Sequence, residues 1–213
     1  MERANCGWVH VCLLKSFLHN WSFHLLFPTI IPHSGNITAL SKTKPVTQVS
    51  KVKCGAVKWK NREVGVQLMV RLQKKMGGVG ICLWLNAFHF LPFKLGCGSC
   101  TNTRAELLAL WASLRVTKNI GLPYLHIFGD SSVIINWAKK ESTLDMVNLE
   151  AWCLNTTILM SSFMWVNLSH VYREHNRRAD ILSKEGLRLP SGYLLLTEYF
   201  GNEINGENSS QLF

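Results

Sequence analysis

The sequence predicts a mixed α/β domain of about 140 residues, a usual size for one domain, and three observations predict it. Val64, Val66, Leu68, Val70 and Leu72 alternate with Gly65, Gln67, Met69 and Arg71, the two-residue period of a strand. Leu107, Leu108, Leu110, Trp111 and Leu114 form the apolar stripe of a helix. The runs then follow in the order three strands, a helix, a strand, helices, a strand and a helix, which interleaves the two kinds of element.

Each element has its own signal. Val64–Leu72 is the first strand, and the stretch from Gln73 to Gly78 is a turn. Val79–Leu85 and Ala87–Leu95 are the second and third strands, followed by a loop from Gly96 to Ser99. Asn102 or Thr103 can cap the first helix, with Glu106 in its opening turns. Gly121-Leu-Pro123 ends that helix, and Tyr124–Phe128 is a fourth strand. Ser131 starts a helix through Lys139, Leu144–Met160 is helical, and Phe163–Leu168 is a fifth strand. Asn176–Leu187 closes the domain as a helix. A tail follows, polar from Asn202 onward.

The chain has 213 residues, 47% of them hydrophobic and 17% charged, enough to build a core. Its formal net charge is +10, which ordinarily points to an acidic partner. The excess is confined to the front. Residues 1–75 carry 12 Lys and Arg against 2 acids, whereas 76–213 carry 11 against 11. Basicity therefore gives no reason to assign nucleic-acid binding to the organised region.

Seven cysteines without regular spacing exclude a disulfide framework. Cys97-Gly-Ser-Cys100 is the one C-x-x-C. It reads as a reduced, structurally incidental pair rather than a redox couple or half a zinc site, since no second Cys or His pair stands at suitable spacing. Trp8–Ile31 is apolar-rich but interrupted by Lys15, His19, Asn20 and His24, so no run of about 18 apolar residues spans a bilayer. No clear signal peptide is present either. Residues 34–60 turn polar and basic, like a linker. No localisation signal is legible; an intracellular setting and no membrane partner are the expectation. Residues 1–62 thus read as a disordered or out-of-frame extension, 63–190 as the domain and 191–213 as a C-terminal tail.

The chemistry lies in three acidic islands. They are Thr103-Arg-Ala-Glu106, His126-Ile-Phe-Gly-Asp130-Ser-Ser, and Arg173-Glu-His-Asn176-Arg-Arg-Ala-Asp180-Ile-Leu-Ser. Each puts a carboxylate at the edge of a regular element, and acids separated in sequence can converge to hold hard divalent cations. Taken singly, each has a plain alternative. Glu106 would be a solvated helix acid, Asp130 a helix N-cap, Asp180 half of a surface ion pair, and His170 a surface histidine.

Taken together and in this order, the islands resemble type 1 ribonuclease H domains, especially the plant retroelement-derived group. The resemblance covers residues 64–188 and is densest from Leu95 to Ser183. It implies a ribonuclease H-like α/β fold, a five-stranded mixed sheet flanked by helices with its first three strands antiparallel. It also implies metal-dependent endonucleolytic cleavage of the RNA strand of RNA–DNA hybrids, with two Mg²⁺ ions and Mn²⁺ as a possible substitute. By this resemblance Glu106, Asp130 and Asp180 match the metal-binding catalytic carboxylates, and His170 matches a mobile histidine that assists proton transfer or product release. Asn176 matches a structural position beside them. The implied partner is an RNA–DNA hybrid or other nucleic acid, with no obligate protein partner evident.

The chain departs from that family at the first strand, where a signature Asp-Gly-Ala/Ser is missing. No Asp precedes Asp130, and Glu63 lies just outside the strand, a poor substitute by position. Without that acid, the repulsion of two dications about 3.5–4 Å apart goes uncompensated, and little or no hydrolysis is expected. A reading frame shifted by two bases offers one account. A Leu68 codon ending in G, followed by the single Met codon and any Val codon, spells Asp-Gly across Leu68–Val70. Two functional classes follow, a hybrid endonuclease and a catalytically dead, retroelement-derived remnant with the fold and weak nucleic-acid affinity. A targeted protein using Trp8–Ile31 is a third, minor option.

Overall fold

The protein is described here by a computed structural model covering residues 65–73, 75–144 and 147–213. The extension to residue 62, with Trp8–Ile31, and Glu63 lie outside these residues. Strands β1 (Gly65–Gln73), β2 (Met76–Trp84) and β3 (His89–Ser99) form an antiparallel meander. The turn joining β1 to β2 has Lys75 at φ 67°. Helix α1 (Asn102–Asn119) follows, then β4 (Tyr124–Gly129), α2 (Ser132–Ala138), α3 (Glu150–Ser161), β5 (Trp165–His170) and α4 (Arg177–Gly186). Strand β4 runs parallel to β1, and β5 parallel to β4. The mixed sheet flanked by helices is the architecture expected.

The strand count is not. The sheet has seven strands, in the order β5-β4-β1-β2-β3-β6-β7, rather than five. The two additional strands are β6 (Tyr193–Phe200) and β7 (Glu203–Gln211), drawn from the stretch read as a tail. Leu194 and Leu196 of β6 are buried where it pairs with β3. Strand β7, Glu-Ile-Asn-Gly-Glu-Asn-Ser-Ser-Gln, has no strand periodicity and owes its conformation to backbone pairing with β6. Beyond it, the Phe213 ring meets Trp152 of α3 edge-on at 5.5 Å, and Trp152 meets Trp111 of α1 at 5.1 Å.

Helix α1 is capped by Thr101, whose Oγ1 accepts from Arg104 N at 3.2 Å, one residue ahead of the expected Asn102 or Thr103. Its stripe of Leu107, Leu108, Leu110, Trp111 and Leu114 is buried as the periodicity requires. Helix α1 packs on β1, β2 and α3, and α4 packs on β1, β2 and β3. The close approach of α4 depends on glycine. A Cβ on Gly78 would lie 2.3 Å from Ser183 O, and one on Gly80 2.1 Å from Ala179 O. Ala179 and Ser183, both fully buried, are the helix residues that exploit this gap. The glycine pair thus sets the depth at which the first turn of α4, with Asp180, sits against the sheet.

Candidate active site

Three elements deliver the predicted acids to one end of the β1–β4 pair. Glu106 comes from the second turn of α1, Asp130 directly follows β4, and Asp180 lies in the first turn of α4. The Asp130 charge acts on Glu106 and the Asp180 charge acts on Asp130, so the three share one electrostatic neighbourhood.

Their environments differ. Glu106 Oε2 accepts from Ser131 Oγ at 2.6 Å, and Oε1 accepts from the Asn102 side-chain amide. Burial pushes the Glu106 carboxyl up and outweighs these two bonds. Burial likewise pushes Asp130 up, against the fields of Arg173 and His170 that pull it down. Asp130 does not cap α2. Ser131 does, its Oγ facing Ile134 N at 3.4 Å while it donates to Glu106. The His170 ring reaches the same corner from the end of β5, its Nε2 donating to Asp130 O at 3.2 Å. Asn176, fully buried, anchors the start of α4, where its backbone oxygen accepts from Asp180 N at 3.0 Å.

Asp180 is held by cations. Its Oδ1 accepts from Arg71 Nη2 at 2.8 Å and from Arg173 Nη2 at 3.0 Å, and its Oδ2 pairs with Lys184 Nζ at 2.8 Å. Burial opposes ionisation, but the bonds from Lys184, Arg71 and Arg173 win and hold Asp180 well below the usual carboxylate range. Lys184 stands four residues after Asp180, a helix pairing legible in sequence. Arg71 was missed. It lies 109 residues away, and no local signal couples β1 to α4.

Backbone register explains what the first strand contributes. Leu68 pairs with Gly129 across the parallel β1–β4 ladder, so Met69 falls alongside Asp130. This is where a carboxylate would complete the set. Arg71, two residues on and on the same face of the strand, brings a guanidinium instead. Among the described residues no group of three or more His, Cys, Asp or Glu side chains is arranged to hold a metal ion. With no acid at position 69 and three cations already on Asp180, these residues do not fit a two-metal centre.

The opposite shifts predict opposite mutant effects. Asp180 has a depressed pKa in the fold, so its stabilisation is complete above the ordinary Asp value near 3.9 and fades as pH falls below it. Asp130 has a raised pKa, so its ionisation costs stability as pH rises from that ordinary value through the folded one. At pH 7, Asp180→Asn should therefore cost about 1–2 kcal/mol, less than a fully buried pair because Arg173 and Lys184 are 53% and 51% exposed. Asp130→Asn should be neutral to stabilising. Urea denaturation at pH 7 and again near pH 3 checks both signs, and the gap between the variants should narrow in acid.

The chain's similarities agree with this fold. A family profile described as reverse transcriptase-like matches residues 75–186, more than half of the chain. No curated protein matches it. Among solved structures, the ribonuclease H1 of Halobacterium salinarum is 23% identical with a TM-score of 0.55, covering 59% of this chain and 97% of its own. The N-terminal ribonuclease H domain of a Mycobacterium tuberculosis protein is 21% identical with a TM-score of 0.54, covering 60% and 94%. A metagenomic ribonuclease H1 from compost, solved in complex with an RNA/DNA hybrid, is 18% identical with a TM-score of 0.52, covering 58% and 96%. At these identities the structures speak for the fold alone. The strand β1 and the pair β6–β7 lie outside the matched profile, while all three acids lie within it. The chain belongs to the reverse transcriptase-like family and contains a ribonuclease H-like domain.

Proposed function

We propose that this chain is a nucleic-acid-binding domain of the RNA–DNA hybrid ribonuclease type whose hydrolytic step is severely impaired. The observation that carries this reading is the convergence of Glu106, Asp130 and Asp180 in one neighbourhood, in the family's order, with Asp180 tied to Arg71, Arg173 and Lys184. Convergence on the ribonuclease H-like fold supports descent from a hybrid-cutting site. At Asp180 these cations supply the charge compensation that would otherwise come from bound dications.

The residues retain parts of a phosphodiester site. Glu106, its carboxyl pushed up by burial and fixed by Ser131 and Asn102, is positioned to meet a ribose hydroxyl or hold a proton. His170, exposed beside Asp130, can carry protons to solvent. Arg177, exposed in the first turn of α4, offers a cation to a phosphate backbone. With charges balanced over 76–213, the arginines of this region included, that affinity is modest and falls with added salt.

The test uses a labelled RNA–DNA hybrid, with binding and cleavage followed in Mg²⁺ and in Mn²⁺ for the chain and its Asp130→Asn variant. Salt-sensitive binding to the hybrid with cleavage at background in both proteins is the expected result. Cleavage by the unaltered chain that Asp130→Asn abolishes would mean that three carboxylates suffice. Absence of hybrid binding at low salt would favour the alternative, a remnant that retains the fold alone.

A further inference from the structure

Away from the acidic site, the junction of β3 with α1 brings two sulfurs together. Cys97 lies near the end of β3 and is 2% exposed, while Cys100 is half-buried in the link to α1. Gly98 between them adopts φ +65° and turns the chain back, and Cys100 N donates to Lys75 O at 2.9 Å. Both side chains close on the same backbone position of β2. Space for them exists because residue 77 of β2 has no side chain. A Cβ there would lie 2.5 Å from Cys100 Sγ and 3.0 Å from Cys97 Cβ.

The surroundings distinguish the two sulfurs. Cys100 directly precedes Thr101, the N-cap of α1, where free backbone N–H groups favour negative charge. The bond from the Cys97 thiol, and after it the nearby Arg104 guanidinium, hold the Cys100 thiol below its ordinary value, and the same bond pushes Cys97 up. Arg104 Nε is buried and makes no hydrogen bond. Cys82 is the contrast, since burial pushes it up to about 12, and burial also raises Cys153. One activated thiol beside one protonated, resolving thiol is the arrangement a dithiol–disulfide exchange requires.

We propose that Cys97 and Cys100 are a thiol–disulfide exchange site that takes a low-molecular-weight disulfide as its co-reactant. The Cys100 thiolate attacks one sulfur of that disulfide, forming a mixed disulfide and expelling one thiolate. The expelled thiolate takes the Cys97 proton. Cys97 sulfur then attacks Cys100 Sγ, closing the Cys97–Cys100 bond and releasing the second thiolate, which takes a proton from solvent. The pair loses two electrons and two protons, and the small disulfide becomes two thiols.

The test equilibrates the full chain in buffers of oxidised and reduced glutathione, quenches with iodoacetamide, and digests with trypsin. Cleavage after Lys94 and Arg104 yields peptide 95–104, which contains Cys97 and Cys100 and no other cysteine. Under oxidising ratios this peptide should convert from the doubly alkylated form to one two hydrogens lighter than the dithiol, and excess reduced glutathione should reverse the change. At pH 7 Cys100 should alkylate at least about tenfold faster than Cys153. Cys97→Ser should trap the mixed disulfide on Cys100. A peptide that stays doubly alkylated under oxidising buffer overturns the proposal. So do disulfides joining two copies of peptide 95–104, alkylation of Cys100 no faster than Cys153, or absence of the trapped adduct in the Cys97→Ser chain.

Discussion

Met69→Asp combined with Arg71→Ala should raise hydrolysis of an RNA–DNA hybrid in Mg²⁺ at least about 100-fold over the unaltered chain, the scale of losing or regaining one preorganised charged group. Neither change should suffice alone. Met69→Asp supplies an acid at the position in register with Asp130, but leaves Asp180 engaged by Arg71 at 2.8 Å. Arg71→Ala relaxes the hold on Asp180 but leaves the first strand without a carboxylate, so repulsion between dications stays uncompensated. Single-turnover cleavage of a labelled hybrid by the two single variants and the double variant measures the coupling directly. If Met69→Asp alone matches the double variant, Arg71 has no bearing on the site. Adding Asp130→Asn to the double variant should return cleavage to background.

The second large effect is on stability. Gly80→Val should cost about 3 kcal/mol or more, at or above the upper end for overpacking, because the two nearest obstructing atoms are backbone. The Cβ would meet Ala179 O at 2.1 Å, Ser183 N at 2.4 Å and Leu182 Cβ at 2.7 Å, and none of these can yield unless α4 lifts from β2. Lifting α4 also withdraws Asp180 from Arg71, so the ion pair should weaken with the packing. Gly206→Ala is the control, since nothing lies within 4 Å of its Cβ position, and a change within about 0.5 kcal/mol is expected. Midpoints of urea denaturation compare the two. Equal effects would show that the glycine face of β2 does not set how closely α4 packs.

Local chemistry was legible in the sequence wherever it is written within one element. The strand period of Val64–Leu72, the buried stripe of α1 and the acids at element edges each follow from neighbouring residues, and the structure has a strand over Gly65–Gln73, the stripe buried and the acids at those edges. The cap of α2 shows the limit of that legibility. Asp130 and Ser131 are equally good candidates by type, and Ser131 takes the role while also bonding Glu106, a contact across 25 residues. Arg71 was beyond reach for the same reason at greater range. Strands β6 and β7 went unread because the first carries Leu-Leu-Leu without a clear period and the second is polar apart from Ile204 and Gly206. The register adds weight to the frame-shift account, since Met69 falls beside Asp130, where the shifted codons spell Asp. A Leu68 codon that does not end in G rules that account out.

The β6–β7 hairpin has a consequence for solubility. Strand β3 is buried along nearly its whole length, and an apolar strand with open backbone groups is a template for pairing with another chain. Here β6 covers that edge, and β7 becomes the new border of the sheet. The border bears Glu203, Asn205, Glu207, Asn208, Ser209 and Ser210, with Gly206 at its middle. Charge, polarity and a flexible residue make it a poor partner for edge-to-edge growth. The last two strands thus exchange an aggregation-prone margin for a well-hydrated one, and a fragment trimmed to residues 75–186 would lose that protection.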